Sequence, residues 1–388
     1  MNAPLPPFDP LGLPLVPWLL HAIAYLTLTL HFAAMQFTVG GALLMLLCWR
    51  RQPGIARFFG TALPLGFSYL VTFGIPPLLF VQVIYGQFFY SSSVLIGAYW
   101  IAVIPLIIGG YAASYWHRMT RDVRVQNQRV VIATIVACVL LVGYIYVNNL
   151  ALSLRPDLWL AHYAAYPSGN ALVFGEPTLH ARYLLFVVPA LMTAGMALVL
   201  RASFLRGRGA TAEADSSYTV GVRSLAVGFL LEVGAAAWFG VAAPPAVREA
   251  FAAPGALPWL AAASALLALG ALVAAYQSQG RAGLGLPLLG AHLLLGAVAC
   301  LVVVRDLVRQ IYLRPYFEVS SAPVLPQWGM FAAFALVLVT GVAFLVVTTR
   351  QTVQGLLAAS RRAAAAPAGA SARRRTGVSR RGATRSRR

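Results

Sequence analysis

Nine long apolar runs govern what this chain can fold into: residues 16–48, 58–86, 93–116, 129–151, 182–205, 220–243, 257–277, 284–305 and 326–349. Each reaches the length, roughly 18 residues or more, at which a helix spans hydrocarbon. Only a helix or a closed barrel satisfies its own backbone there, and uninterrupted apolar runs lack the alternation of barrel strands. With 60% hydrophobic and only 10% charged residues, the chain has too little charge to coat a soluble domain. The expectation is an all-α polytopic membrane protein. One nine-helix domain covers 16–349, between an outer N-terminal segment, 1–15, and a basic cytoplasmic tail, 350–388.

The first run follows a proline-rich lead with no basic residue before it, so it reads as a retained span and not as a signal peptide. Its length suggests a tilted or protruding helix. Cys48, Cys138 and Cys300 lie in or beside spans, and no CxxC or CxxCH occurs. That pattern offers no disulfide frame, zinc site or covalent c-type heme, and buried free cysteines behave as small hydrophobes.

Orientation follows from arginine, because the chain has no lysine. The connections 49–57, 117–129, 201–223 and 278–283, with the tail from Arg350, hold 23 of the 29 arginines. Arg155, Arg182, Arg248, Arg305, Arg309 and Arg314 are on the other side, with six of the ten acids. The positive-inside rule therefore places the N-terminus outside and the C-terminus in the cytoplasm of a bacterial-type inner membrane. From Arg361 to Arg388 the tail carries ten arginines and no acid, which predicts disorder and contact with anionic lipid headgroups. Clustered arginine without aromatics predicts no specific nucleic-acid binding.

Ionisable groups inside spans are costly and mark sites. Four stand out: His21 and His31 in the first run, Glu232 in the sixth and His292 in the eighth. At about 1.5 Å per residue, His21 lies near the outer surface, His31 about 15 Å deeper and Glu232 near the midplane. Glu232 reads as the only acid in the hydrocarbon: a heme ligand, a proton carrier or the partner of a buried donor. Arg305 and Arg309, one turn apart, can face one outer pocket and suit an anionic group such as a propionate. His162 and His180 lie on the outer side, the latter where the fifth run begins. Residues 152–181, with Trp159, His162, Tyr163 and Tyr166, read as a surface-lying cap. Pro76 and Pro77, after Gly74, predict a break in the second span.

The stretch "HFAAMQFTVGGALLM" carries a resemblance. Its spacing of His31, Phe32, Thr38, Gly40 and Ala42 resembles the first span of cytochrome bd quinol oxidase subunit I, in which the matching histidine is an axial heme ligand. The stretch "FVQVIYGQFFYSSS" is similar to the end of that family's second span, with Gln82, Tyr90 and Ser91 in matching places. The resemblance covers residues 18–100 and implies nine spans, a heme b held by His31, and His180 as a ligand candidate in the fifth span. It also implies an outer redox pocket where Gln82, Gln87 and neighbouring phenols orient propionates or a quinone. The sequence departs from the family elsewhere. Phe80 stands where the family has glutamate, the Gly-Arg-Gln-Pro-Trp motif is missing, and the outer connection after span six shrinks to "APPAVREAFAAPG". Electron transfer is therefore expected in place of oxygen reduction.

The functional expectation is a heme-b-type subunit exchanging electrons between membrane quinol and an outer-side redox protein, such as a c-type cytochrome. His31, His21, His180, Gln82, Gln87, Arg305 and Arg309 would bind cofactor, and Glu232 is the candidate for proton chemistry. A second membrane subunit is expected as partner. The alternatives are a heme-less scaffold of the same fold and a secondary transporter.

Overall fold

A computed structural model describes residues 5–120 and 127–365. Among these the chain is helical apart from connections and one isolated bridge pairing Leu13 with Val324. In order, the helices are α1 (Pro17–Cys48), α2 (Pro53–Leu95), α3 (Gly97–Thr120), α4 (Gln128–Ser153), α5 (Trp159–Ala165), α6 (Leu179–Val187), α7 (Pro189–Arg206), α8 (Thr211–Ala242), α9 (Pro245–Ala252), α10 (Ala256–Gln277), α11 (Gly285–Leu313) and α12 (Trp328–Ala365). Nine segments among the described residues are long and apolar enough to cross a membrane, with α6 and α7 together forming the fifth. Multi-pass membrane architecture is thus carried by both hydropathy and fold.

Several element limits differ from the sequence expectation. The predicted break at Pro76–Pro77 does not occur, since α2 runs through both prolines and leaves helical geometry only at Tyr85, with φ −128° and ψ 31°. The uncharged stretch 80–93 also belongs to α2, which runs past the expected limit at residue 86 and continues to Leu95. Its serines fasten helix to helix: Ser92 Oγ donates to Asn149 Oδ1 at 3.3 Å, and Asn149 Nδ2 donates to Ser93 Oγ at 3.0 Å. Hydroxyls and amides there satisfy one another between α2 and α4 and need no charge. The connection after span six forms α9, and residues 350–365, expected in the tail, continue α12. The rest of the tail, 366–388, lies outside the described residues.

The chain divides into two units at Leu325–Pro326. In the first, α1 is central, packing against α2, α4, α6, α7 and α11. Small residues allow that approach: a Cβ at Gly40 would stand 1.9 Å from the Ala190 carbonyl oxygen, so no side chain fits where α1 crosses α7. Gly195 and Gly221 play the same part for α7 and α8, each lying where a Cβ would meet the other's carbonyl at 2.6–2.7 Å. Phe59, Phe67, Met45 and Ile135 fill the core around α1, α2 and α4. At the ends of α7 and α8, Arg201 donates to Ser217 and Glu213, and Arg206 donates to Asp215. The second unit is α12, whose stretch from Trp328 to Thr349 carries no charged residue.

Candidate functional site

A cavity of about 450 Å³ lies among α1, α2, α3, α4, α6 and α11. Its size is that of ordinary ligand pockets. One face of α1 supplies His21, Tyr25, Leu28, His31, Phe32 and Met35, a series that follows the helical repeat. The wall is mostly aliphatic and aromatic, and its polar groups gather at two levels about 15 Å apart along α1, by helical rise.

At the deeper level stands His31. Its Nδ1 lies 3.1 Å from the Leu70 carbonyl oxygen. A carbonyl only accepts, so Nδ1 carries the proton and the Nε2 lone pair is left unprotonated. Fixing one ring nitrogen on a backbone carbonyl orients the other as a metal ligand. No protein group bonds to this Nε2 among the described residues. Gly74 makes room for the ring: a Cβ there would stand 3.0 Å from His31 Cε1 and 3.1 Å from Nδ1.

At the other level, near Pro17, the polar groups centre on Asp306 of α11, which is 5% exposed. Tyr25 donates to its Oδ2 at 2.8 Å and Gln310 Nε2 donates to the same oxygen at 2.9 Å. His21 Nδ1 lies 3.2 Å from Oδ2. Tyr85, at the kink of α2, donates to Oδ1 at 3.3 Å, and Arg309 Nη1 lies 3.5 Å from that oxygen. The Arg309 guanidinium also stacks 4.7 Å from the centre of the Tyr85 ring. Arg305 lines the cavity beside this cluster, and its Nε is buried without a hydrogen-bond partner. A buried carboxylate surrounded by donors is stable, whereas an unpaired buried guanidinium calls for an anionic or strongly accepting group.

The cavity therefore unites four of the predicted residues, His21, His31, Arg305 and Arg309. The other four lie elsewhere. His180, in the first turn of α6, is exposed, stacks on Tyr144 with ring centres 6.2 Å apart and is not in the cavity wall. Gln82 accepts from Tyr90 at 3.0 Å, and Gln87 gives its carbonyl to Ser91 at 2.7 Å. Neither glutamine is in the wall, since the face of α2 turned inward carries Phe80, Ile84, Tyr85 and Phe88. Glu232 is also outside it, and both its carboxylate oxygens are buried without a partner. Nor is it the only buried acid in a spanning helix, because Asp306 is a second. His292 returns its Nδ1 to the Leu288 carbonyl of its own helix at 2.7 Å.

Sequence reasoning missed Asp306 and Tyr25, and it had Tyr85 only as one of the phenols beside Gln82 and Gln87. A signal existed in the run Arg305-Asp306-x-x-Arg309-Gln310, an acid set among three donors at the end of a span, and in the one-turn spacing of His21 and Tyr25. Among the described residues no three histidine, cysteine or acidic side chains cluster as a metal cage. The donors in the wall suit a group held by one imidazole instead. His31 offers an unprotonated nitrogen to an iron, and Arg305 and Arg309 offer cations to propionates. Among the described residues, the imidazoles and thioether of the cavity wall, His21, His31 and Met35, all belong to α1. One helix face cannot close both sides of a macrocycle, so these three side chains would give a b-type heme a single imidazole or thioether ligand. No family model matches the sequence, and no curated protein is significantly similar to it.

Proposed function

We propose that the protein is a heme-b-type membrane subunit that exchanges electrons between membrane quinol and a redox protein on the outer side. The observation carrying this reading is His31, whose Nδ1 is committed to Leu70 while Nε2 faces a largely apolar cavity with arginines at its far level. Heme b bound there would supply one-electron chemistry. His31 would hold the iron, Gly74 leaves room for the imidazole, and Arg305 and Arg309 would receive the propionates. Asp306 acts as a positioning residue, holding His21, Tyr25, Tyr85 and Arg309 at the cavity's outer level. The aliphatic wall excludes water from the group it holds.

The optical spectrum of the purified protein tests this reading. A Soret band with an α-band that appears on reduction supports it, and a colourless protein overturns it. The second reading, a heme-less scaffold of the same architecture, is favoured by the position of His180 and by the lack, among the described residues, of a histidine or methionine from another helix in the cavity wall. Under either reading the protein sits in a bacterial-type inner membrane with a second membrane subunit, and its arginine-rich tail contacts anionic lipid.

The arginine asymmetry gives the orientation, N-terminus outside and C-terminus in the cytoplasm. A reporter fused after Arg388 is expected to be active only in the cytoplasm, and one inserted within 160–178 only outside. The reverse pattern would overturn the orientation and the outer placement of the Asp306 cluster.

Glu232 is separate from this site. Because its oxygens make no hydrogen bond, Glu232→Gln removes none, and the heme signal per mole of protein should stay within about 10% of wild type. Reduced-minus-oxidised spectroscopy checks this. A lost or shifted band would restore Glu232 as a heme ligand, and unchanged bands with lost quinol turnover would make it a proton carrier.

A further inference from the structure

The cavity has an opening on the side of the bundle. Val71 and Ile75 of α2 and Ile104 and Ile108 of α3 line it, yet they expose 41%, 55%, 64% and 62% of their surface. A side chain that both lines a cavity and lies on the outer surface marks a mouth. The two pairs are each spaced by one helical turn, so they form the facing edges of a window between α2 and α3. Ser68 and Tyr111 close one end of the window with a 2.7 Å hydrogen bond, and the tight connection from Leu95 to Gly97 closes the other. Pro76, Pro77 and Pro105 lie within it. Each removes an intrahelical hydrogen bond, which lets two neighbouring helices diverge between their fixed ends.

Both helices are apolar spans, so the window faces acyl chains and not water. Its four edge residues are aliphatic. A charged lipid head passing them would lose hydration and gain no partner, a cost of several kcal/mol or more. An uncharged ring with an apolar tail meets no such barrier. The window is also level with His31, because Leu70, which fixes that imidazole, directly precedes Val71. We infer that this window is the entry and binding site of an uncharged, tailed quinol or quinone, which reaches the cavity from the bilayer beside His31. This rests on the quinol-linked reading above and adds the route and the selecting chemistry. The ring inserts between Ile75 and Ile104, and the tail stays in lipid along α2 and α3.

The test is photoaffinity labelling of the full-length protein in nanodiscs, using a decyl-tailed benzoquinone with an azide on its ring, followed by peptide mapping. Label is expected within 68–78 and 101–111. The double substitution Ile75→Trp with Ile104→Trp, which fills the window from its lipid side, should lower it at least tenfold. Ile101→Trp, on a residue of α3 that is 69% exposed but not in the cavity wall, should leave it unchanged. Excess unlabelled decyl benzoquinone should compete, whereas decanoate and decanol should not. Label confined to other helices, or undiminished in the filled variant, overturns the window. Competition by decanoate or decanol as strong as by the quinone overturns the ligand class. A colourless protein labelled at the window defeats the heme reading alone, and a heme-containing protein labelled elsewhere defeats the window alone.

Discussion

His31→Ala is expected to abolish the heme signal of the purified protein, while His21→Ala leaves that signal, per mole of protein, in place. Among the described residues His31 offers the only ring nitrogen at its level of the cavity, and its tautomer is set by the backbone carbonyl of Leu70. The paired variant matters because both histidines belong to α1 and general damage to that helix would strike both. His21→Ala is the harsher test of folding, since it removes a buried partner of Asp306. Gly74→Leu gives an independent check. Its side chain would occupy space within 3.1 Å of the imidazole, so it should displace the ring and lose the signal with His31 intact. Retention of a normal spectrum in both His31→Ala and Gly74→Leu would sink the assignment, and far-UV circular dichroism would show that the helices had formed.

The largest stability effect is expected at Asp306. Alanine there leaves Arg309 buried without its carboxylate and strips acceptors from Tyr25, Tyr85, Gln310 and His21. Breaking a buried ion pair from one side costs about 3–5 kcal/mol. Removing one of the neutral donors, as in Tyr25→Phe, should cost about 1.5–3 kcal/mol, the range for hydrogen bonds to a charged group. Asp306→Asn should fall between wild type and alanine, because it keeps an acceptor and loses the charge. Thermal denaturation in one detergent orders the series. Combining Asp306→Leu with Arg309→Met should recover part of the loss, as replacing both ions of a buried pair by apolar groups is often tolerated. Wild-type melting in Asp306→Ala would mean that the cluster is not closed around this carboxylate.

The contrast between His31 and His180 explains how much of the site was legible. His31 stood out in the sequence because its neighbours are local, with Met35 one turn away and glycines following on the same helix, and the structure places it in the cavity wall. His180 was proposed on a family register alone, and the first turn of α6 sets it against Tyr144. Gln82 and Gln87 lie outside the cavity wall for a related reason. Their polarity was evident, but the rotation of α2 that places Tyr85 inward and the glutamines elsewhere depends on how α1, α3 and α4 pack against it.

Span number, helix class and charge asymmetry were determined by the sequence itself. Each depends on a property counted along the chain: the length of an apolar run against bilayer thickness, and the distribution of arginine between connections. The continuation of α2 through two prolines, the grouping at Asp306 and the window between α2 and α3 were decided by tertiary structure. Tyr25 and Asp306 are 281 residues apart, and no local pattern states that they will meet. In hydrocarbon a polar side chain must find its partner on another helix or on its own backbone, and which helix it finds is set by packing at places such as Gly40 against Ala190.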